Sequence, residues 1–258
     1  MKIPYIGICD FETAEQVVRM REVLAENQVV GAERMLMAGV MMSYKTSNGF
    51  PTKWSNVFPR KERVNRIFSA GFSDVLNTLH YADYDGVDVA DCLERATVFG
   101  GTNMNAIQLD MIWPDPGVVG IYKEKHPDIR IVLQVGANAF DKIGNNPENF
   151  LAELKRYGGA LDYALLDKSM GRGLGMDASW LMPFVDAAVE ALPELGIAVA
   201  GGLGPDTLHL VEPLARKYRF ISIDSQGRLR PSGSALDPID WSIAENYLRR
   251  YLEMLRNI

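Results

Sequence analysis

The sequence predicts a single-domain (β/α)8 barrel, the TIM-barrel architecture, over residues 1–258, and three observations carry that prediction. Short uncharged runs alternate with amphipathic stretches about eight times, the pattern of successive βα units. No linker, charge block or low-complexity segment interrupts the alternation. The length of 258 residues is one at which α/β barrels build a single large core. An open doubly wound sheet is the competing arrangement.

Taken in order, Pro4 to Cys9 reads as the first strand, and Thr13 with Gln16 three residues later forms a capping box opening a helix that carries Val17, Met20, Val23 and Leu24. Met35 to Met42 is the second strand. A long polar, aromatic-tipped loop over residues 43–58 follows, of the kind that serves as a lid or binding loop, before a helix begun by Pro59 with Val64, Ile67 and Phe68 inward. Asp74 to His80 is the third strand, and Val87 to Phe99 a helix stopped by Gly100-Gly101. Asn105 to Leu109 is the fourth, followed by a helix that Asp115-Pro116 starts and that ends before Pro127. Ile129 to Val135 is the fifth; Asn146-Pro147 opens a helix carrying Phe150, Leu151, Leu154 and Tyr157, with Gly158 past its end. Tyr163 to Leu166, Gly196 to Ala200 and Phe220 to Asp224 are the last three strands. Trp180 to Leu192 and the segment after Gly204-Pro205 are helices between them, and from Asp240 apolar residues recur at helical spacing to Leu255.

Composition bounds the function. With 47% hydrophobic and 23% charged residues the chain has ample core material, and its longest apolar run, near Met35 to Met42, is far too short to span a bilayer. Met1-Lys2-Ile3-Pro4-Tyr5 runs directly into a strand pattern, which predicts no secretory leader and a cytoplasmic location. A net charge of −6 argues against a nucleic-acid surface. Two cysteines, Cys9 and Cys92, are too few for a disulfide framework and fit a reducing compartment. The expected partner is a small phosphorylated metabolite, with no nucleic acid, no membrane and no cofactor, in a monomer or homodimer.

The stretch from Ala160 to Gly175 centres the site. A buried strand there delivers Asp167 into a loop with glycines at 171, 173 and 175, where backbone N–H groups can approach an anion. A barrel places its chemistry at the C-terminal ends of strands, so Cys9, Asp10, residues 43–53, His80, Asp110, Asn138, Asp167, Gly201, Gly202 and Ser225 are the positions to weigh. Phosphate in such barrels sits on the loops after strands seven and eight. Gly201, Gly202, Gln226 and Gly227 are therefore its candidate cradle, with Gly175 joining them from the glycine loop after strand six. His126 and His209 read as surface or capping residues, and His80 as a histidine more often structural than catalytic.

Five segments resemble the phosphoribosylanthranilate isomerase family of tryptophan biosynthesis, in the same order along nearly the whole chain. Gly7-Ile8-Cys9-Asp10 stands where the family has Lys-Ile-Cys-Gly, and Ala106-Ile107-Gln108-Leu109-Asp110 is similar to its Val-Gln-Leu-His segment. Leu165-Leu166-Asp167 with Gly173-Leu174-Gly175 and Trp180 resembles its Leu-Leu-Asp, glycine-loop and Asp-Trp pattern. Gly201-Gly202-Leu203-Gly204-Pro205 resembles Gly-Gly-Leu-Asn-Pro, and Asp224-Ser225-Gln226-Gly227 the Asp-Val-Ser-Ser-Gly ending. The resemblance implies an aldose–ketose (Amadori-type) isomerase. Asp167 would protonate the ring oxygen of a phosphoribosyl group and Cys9 would remove the C2 proton. Gly173, Gly175, Gly201, Gly202, Gln226 and Gly227 would hold the phosphate, with Gln108, Asp110, Lys45 and Arg172 elsewhere on the substrate.

The sequence also departs from the family. Asp10 sets a charge beside the proposed thiolate, Asp110 replaces a histidine, and the longer second loop lacks the family's arginine, leaving Lys45, Lys53 and Trp54 as substitutes and Lys168 or Arg172 as a nearby cation. Two alternatives follow. Asp10, Asp110, Asp167 and Asp224 could gather a divalent cation for a metal-assisted lyase or epimerase. Alternatively the barrel binds phosphate esters without catalysis. A Schiff-base aldolase is disfavoured, because Lys168 lies past its strand end.

Overall fold

The computed structural model describes residues 2–169 and 175–258. Eight strands, β1 (Tyr5–Ile8), β2 (Met35–Ser43), β3 (Val75–Ala82), β4 (Ala106–Asp110), β5 (Arg130–Gly136), β6 (Tyr163–Asp167), β7 (Gly196–Val199) and β8 (Ser222–Ser225), pair in parallel and in sequence order. The barrel closes where β1 meets β8, with Gly7 opposite Asp224. Outside run α1 (Ala14–Asn27), α2 (Tyr44–Ser47), α3 (Val64–Ile67), α4 (Val89–Gly100), α5 (Pro116–Lys125), α6 (Ala137–Lys142), α7 (Pro147–Lys155), α8 (Ala178–Ala191), α9 (Glu212–Lys217) and α10 (Trp241–Arg256). The chain is a (β/α)8 barrel. Among the described residues no helix is long and apolar enough to cross a membrane.

The helix starts follow local chemistry. Thr13 and Gln16 make the capping box of α1, while Asp115, Asn146 and Asp240 accept N–H groups in the first turns of α5, α7 and α10. Where such a cap is missing the boundaries move. The segment after Pro59 yields only a 3-10 turn, Lys61–Arg63, and the single turn of α3. The helix expected after Pro205 is a 3-10 turn, Leu208–Leu210, followed by the short α9, because Pro213 cannot donate to a preceding turn. The short α6, directly after β5, has no side-chain cap and was not expected from the sequence. β3 runs two residues beyond His80, because Tyr81 and Ala82 continue the ladder against Leu109 and Asp110.

Of the three hydrophobic clusters among the described residues, two divide the body of the barrel. The larger fills the layer between sheet and helices. The smaller lies inside the barrel and is built from alternate inward residues such as Met37, Leu76, Val132 and Leu165. Tyr163 plugs the N-terminal end: its ring meets Tyr5 edge-on at 5.2 Å and its hydroxyl donates to the Ile3 carbonyl at 2.7 Å. Gly196 makes room for it, since a Cβ there would lie 2.2 Å from the ring. Along four strands the inward residue then turns polar: Leu76 gives way to His80, Ala106 to Gln108, Val132 to Gln134 and Leu165 to Asp167, while β8 is polar at both Ser222 and Asp224. The barrel is closed below and lined with polar side chains above.

Candidate functional site

A cavity of about 610 Å³ opens at the C-terminal ends of the strands. Its floor is a row of buried side chains joined sideways, one from each of six strand ends. Asp224 from β8 lies beside Cys9 Sγ, with its carboxylate oxygens at 3.6 and 3.7 Å. Cys9 Sγ is 4.0 Å from His80 Nδ1 of β3. His80 Nδ1 is 3.2 Å from Gln108 Nε2 of β4, which also donates to Gln134 Oε1 of β5 at 2.8 Å. Gln134 Nε2 donates to Asp167 Oδ2 of β6 at 3.3 Å. Asp167 is anchored further by the Ser169 N–H at 3.0 Å and the Ser169 hydroxyl at 2.7 Å. Cys9 and Asp167 thus stand on one polar row, separated by His80, Gln108 and Gln134.

Burial sets the electrostatics of the Cys9 end. It pushes Asp224 up to about 6, with the His80 charge working against it. It pushes the Cys9 thiol well above its ordinary range, and the Asp224 carboxylate pushes further in the same direction. Burial alone would depress His80, but Asp110, Asp224 and Asp10 outweigh it and hold the imidazole above its usual value. Asp110 Oδ2 stands 3.5 Å from His80 Nε2, an ion-pair separation long for a hydrogen bond, and Asp110 Oδ1 accepts from the Tyr84 hydroxyl at 2.6 Å. Gly7 is what lets Asp224 sit here: a Cβ on it would lie 2.4 Å from Asp224 Oδ1.

Asp10 has a different neighbourhood from the one its sequence position implied. Its φ of 71° lies in the left-handed region, where glycine is the ordinary occupant and aspartate is tolerated. Its carboxylate turns to the fully buried Arg230 guanidinium, with Gln226 Nε2 at 3.1 Å. Burial raises its pKa while Arg230 pulls it down. The negative charge expected beside the thiol is therefore paired with a cation, and Arg230 also works to lower the Cys9 pKa. Among the described residues no three or more His, Cys, Asp or Glu side chains are grouped as metal ligands. Asp10, Asp110 and Asp167 each turn to separate partners.

The opposite wall is backbone. Gly201 and Gly202, at φ 125° and 61°, make a turn after β7 that only glycine adopts without strain, and both line the cavity. Thr207 Oγ1 donates to the Gly202 carbonyl at 2.7 Å, and Ser225 Oγ to the Leu203 carbonyl at 2.6 Å, so the two turns are tied together with their carbonyls engaged. Gln226 and Gly227 begin a 3-10 turn whose leading N–H groups have no partner within the turn. Gly204 permits the approach, since a Cβ there would meet Arg228 Cβ at 2.6 Å. The third wall is the loop after β2. Trp54 stacks on Phe58 at 5.2 Å, and Phe58 packs with Cys9 and Met41, so this loop covers the thiol end.

Of the residues singled out in the sequence, Cys9, Asp167, Gly201, Gly202, Gln226, Gly227, Gln108, Asp110 and Lys45 all line this one cavity. Gly175 is exposed and is not among the lining residues; it precedes Met176, whose N–H donates to the Gly201 carbonyl at 3.0 Å. Gly173 and Arg172 lie outside the described residues. The sequence by itself singles out none of Gln134, Ser169, Tyr84 and Arg230, and His80, one of the strand-end positions weighed above as more often structural than catalytic, lines the cavity. The inward alternation of β3 and β5 was the available signal for His80 and Gln134. Arg230, five residues past its strand, offered none.

No protein-family model matches the chain, and a search of curated proteins finds no relative. Solved structures do resemble it. Phosphoribosyl anthranilate isomerase from Thermus thermophilus superposes with a TM-score of 0.59 at 17% identity, covering 98% of this chain and 98% of that one. The catalytic domain of a chitinase from Pyrococcus furiosus gives 0.56 at 9% identity, covering 98% and 97%. Ribulose-1,5-bisphosphate carboxylase/oxygenase from Pyrococcus horikoshii gives 0.54 at 12% identity over all of this chain and 60% of that one. At such identities the likeness is one of fold, and the fold is the (β/α)8 barrel.

Proposed function

We propose that the protein is an enzyme of acid–base chemistry on a small phosphorylated substrate, an aldose–ketose isomerase similar in chemistry to phosphoribosylanthranilate isomerase. The observation that carries this reading is the placement of Cys9 and Asp167 on one buried polar row, with three side chains between them, beneath a cavity whose far wall is the glycine turn after β7. Two proton-transfer groups on separate strands can address adjacent positions of one bound sugar, as an isomerisation requires.

In this scheme the phosphate rests on the turns at Gly201-Gly202 and Gln226-Gly227, where backbone N–H groups and the Arg228 side chain supply the positive field. Asp167 gives its proton to the ring oxygen as the C1–O bond opens. Cys9 then removes the C2 proton as thiolate, and the electrons of that C–H bond complete the enamine that rearranges to the ketose. A thiol so deeply buried beside a carboxylate needs a proton acceptor, and Asp224 and His80 are the two groups at its side. Lys45, Gln108 and Asp110 face the rest of the substrate. The likeness in fold to the Thermus thermophilus isomerase supports the scheme without deciding the substrate.

The test is turnover of phosphoribosylanthranilate, followed by loss of its fluorescence, beside binding of inorganic phosphate. Conversion abolished by Cys9→Ser and by Asp167→Asn, with folding intact, is the expected result. Binding of phosphate without conversion moves the chemistry to another phosphate ester, or to a non-catalytic barrel. No phosphate binding overturns the proposal.

A further inference from the structure

Between His80 and Asp167 in the row stand Gln108 and Gln134, and their hydrogen bonds have a direction. Gln134 Nε2 donates to Asp167 Oδ2 at 3.3 Å, so Gln134 Oε1 faces β4 and accepts from Gln108 Nε2 at 2.8 Å. An amide nitrogen carries two protons, and the second of Gln108 points at His80 Nδ1, 3.2 Å away. A ring nitrogen facing an N–H presents its lone pair. His80 is therefore held with its proton on Nε2, toward Asp110 at 3.5 Å, and Nδ1 bare. Gln108 Oε1, wholly buried, is left with no hydrogen-bond partner.

We propose that this pair of buried amides is a relay coupling the protonation of His80 to that of Asp167. The row has two self-consistent orientations. With Asp167 ionised, Gln134 donates into its carboxylate, Gln108 donates one proton to Gln134 Oε1 and the other toward His80, and Nδ1 of His80 must be bare. With Asp167 protonated, its O–H donates to Gln134 Oε1, both amides turn over, and Gln108 Oε1 accepts from Gln134 and from a proton on His80 Nδ1. Mixed arrangements set N–H against N–H or oxygen against oxygen in a buried site, where each unmade hydrogen bond costs about 1–3 kcal/mol. The proton on Nδ1 is the one Cys9 gives up: the S–H bond breaks, the N–H bond forms, and thiolate and imidazolium remain side by side. The second orientation thus holds Asp167 as an acid and Cys9 as a base together. That consequence rests on the isomerase reading; the coupling does not.

Coulomb attraction and the relay predict opposite signs. His80 is faced by Cys9 and Asp10 from the end of β1, Asp110 from β4 and Asp224 from β8; Asp167 is faced by Ser169, Asp224 and Tyr84. Through space, an ionised Asp167 raises the pKa of His80. Through the relay it lowers it.

The experiment is a carbon-13-edited NMR titration of the histidine rings in the full chain, from roughly pH 5 to 9. His80 is assigned by its loss in His80→Gln. In Asp167→Asn, whose amide suits either orientation, the His80 pKa rises by about half to one unit, and Gln134→Met, which cuts the row, shifts it the same way. A fall in Asp167→Asn, or no shift in either variant, overturns the relay. Should Gln134→Met fail to fold, the nearly isosteric Asp167→Asn decides alone. The readout needs no substrate, so failure of the isomerase assay and failure of the relay are distinguishable.

Discussion

Replacing Asp224 by asparagine is expected to stabilise the fold at neutral pH. Asp224 is 5% exposed, and burial lifts its pKa from 3.8 to about 6 in the folded protein. Below the lower value both folded and unfolded chains carry the proton, and the group contributes nothing to the pH dependence. Between the two values the unfolded chain has released the proton while the folded one keeps it, so rising pH favours unfolding. A span of about two units at about 1.4 kcal/mol per unit amounts to about 3 kcal/mol, fully developed above about pH 6. Asparagine removes that penalty, and its Oδ1 can still accept the Ser225 N–H that now reaches Asp224 at 2.9 Å. Urea unfolding of both proteins at a series of pH values measures the difference directly. The variant's advantage should grow from near zero at about pH 4 to about 3 kcal/mol at pH 7 and then stay flat. An advantage independent of pH, or a variant less stable at neutral pH, would refute the assigned burial of the charge.

Other expectations follow from the same contacts. In a Cys92→Ala background, Asp224→Asn should lower the pH at which thiolate absorbance of Cys9 appears, because the carboxylate at 3.6 Å is the main charge opposing ionisation; an unchanged midpoint would remove Asp224 from that role. Arg230→Met leaves Asp10 buried and unpaired and should destabilise the protein by about 3–5 kcal/mol in chemical denaturation, with Asp10→Asn in the same chain recovering part of the loss. Gly204→Ala forces the turn after β7 away from Arg228, now only 2.6 Å from the missing Cβ, and should weaken inorganic phosphate binding in calorimetry more than it lowers melting temperature. Gly7→Ala should displace the Asp224 carboxylate and cost about 1–3 kcal/mol, read by denaturation beside the Cys9 titration.

The barrel was legible in the sequence because its signals are local. Caps at Thr13, Asp115, Asn146 and Asp240 act within one turn, and strand runs such as Tyr163 to Leu166 announce their own burial. Alternation then restricts the topology, since parallel neighbours joined by helices close naturally into a barrel. Strand ends were legible as positions too, which is why Cys9, Asp167, Gly201 and Gly227 fall on one cavity. What the sequence by itself could not decide was pairing across the barrel. Cys9 meets Asp224 only because the sheet closes β1 against β8, and a glycine at position 7 admits the carboxylate. Asp10 meets Arg230, 220 residues away, and this gives the charge that opposes a thiolate a buried cation that offsets part of it. The order Cys9, His80, Gln108, Gln134, Asp167 is set by side chains reaching sideways between strands at one height. Distances of that kind depend on barrel closure and strand register, properties of the whole chain that no local pattern encodes.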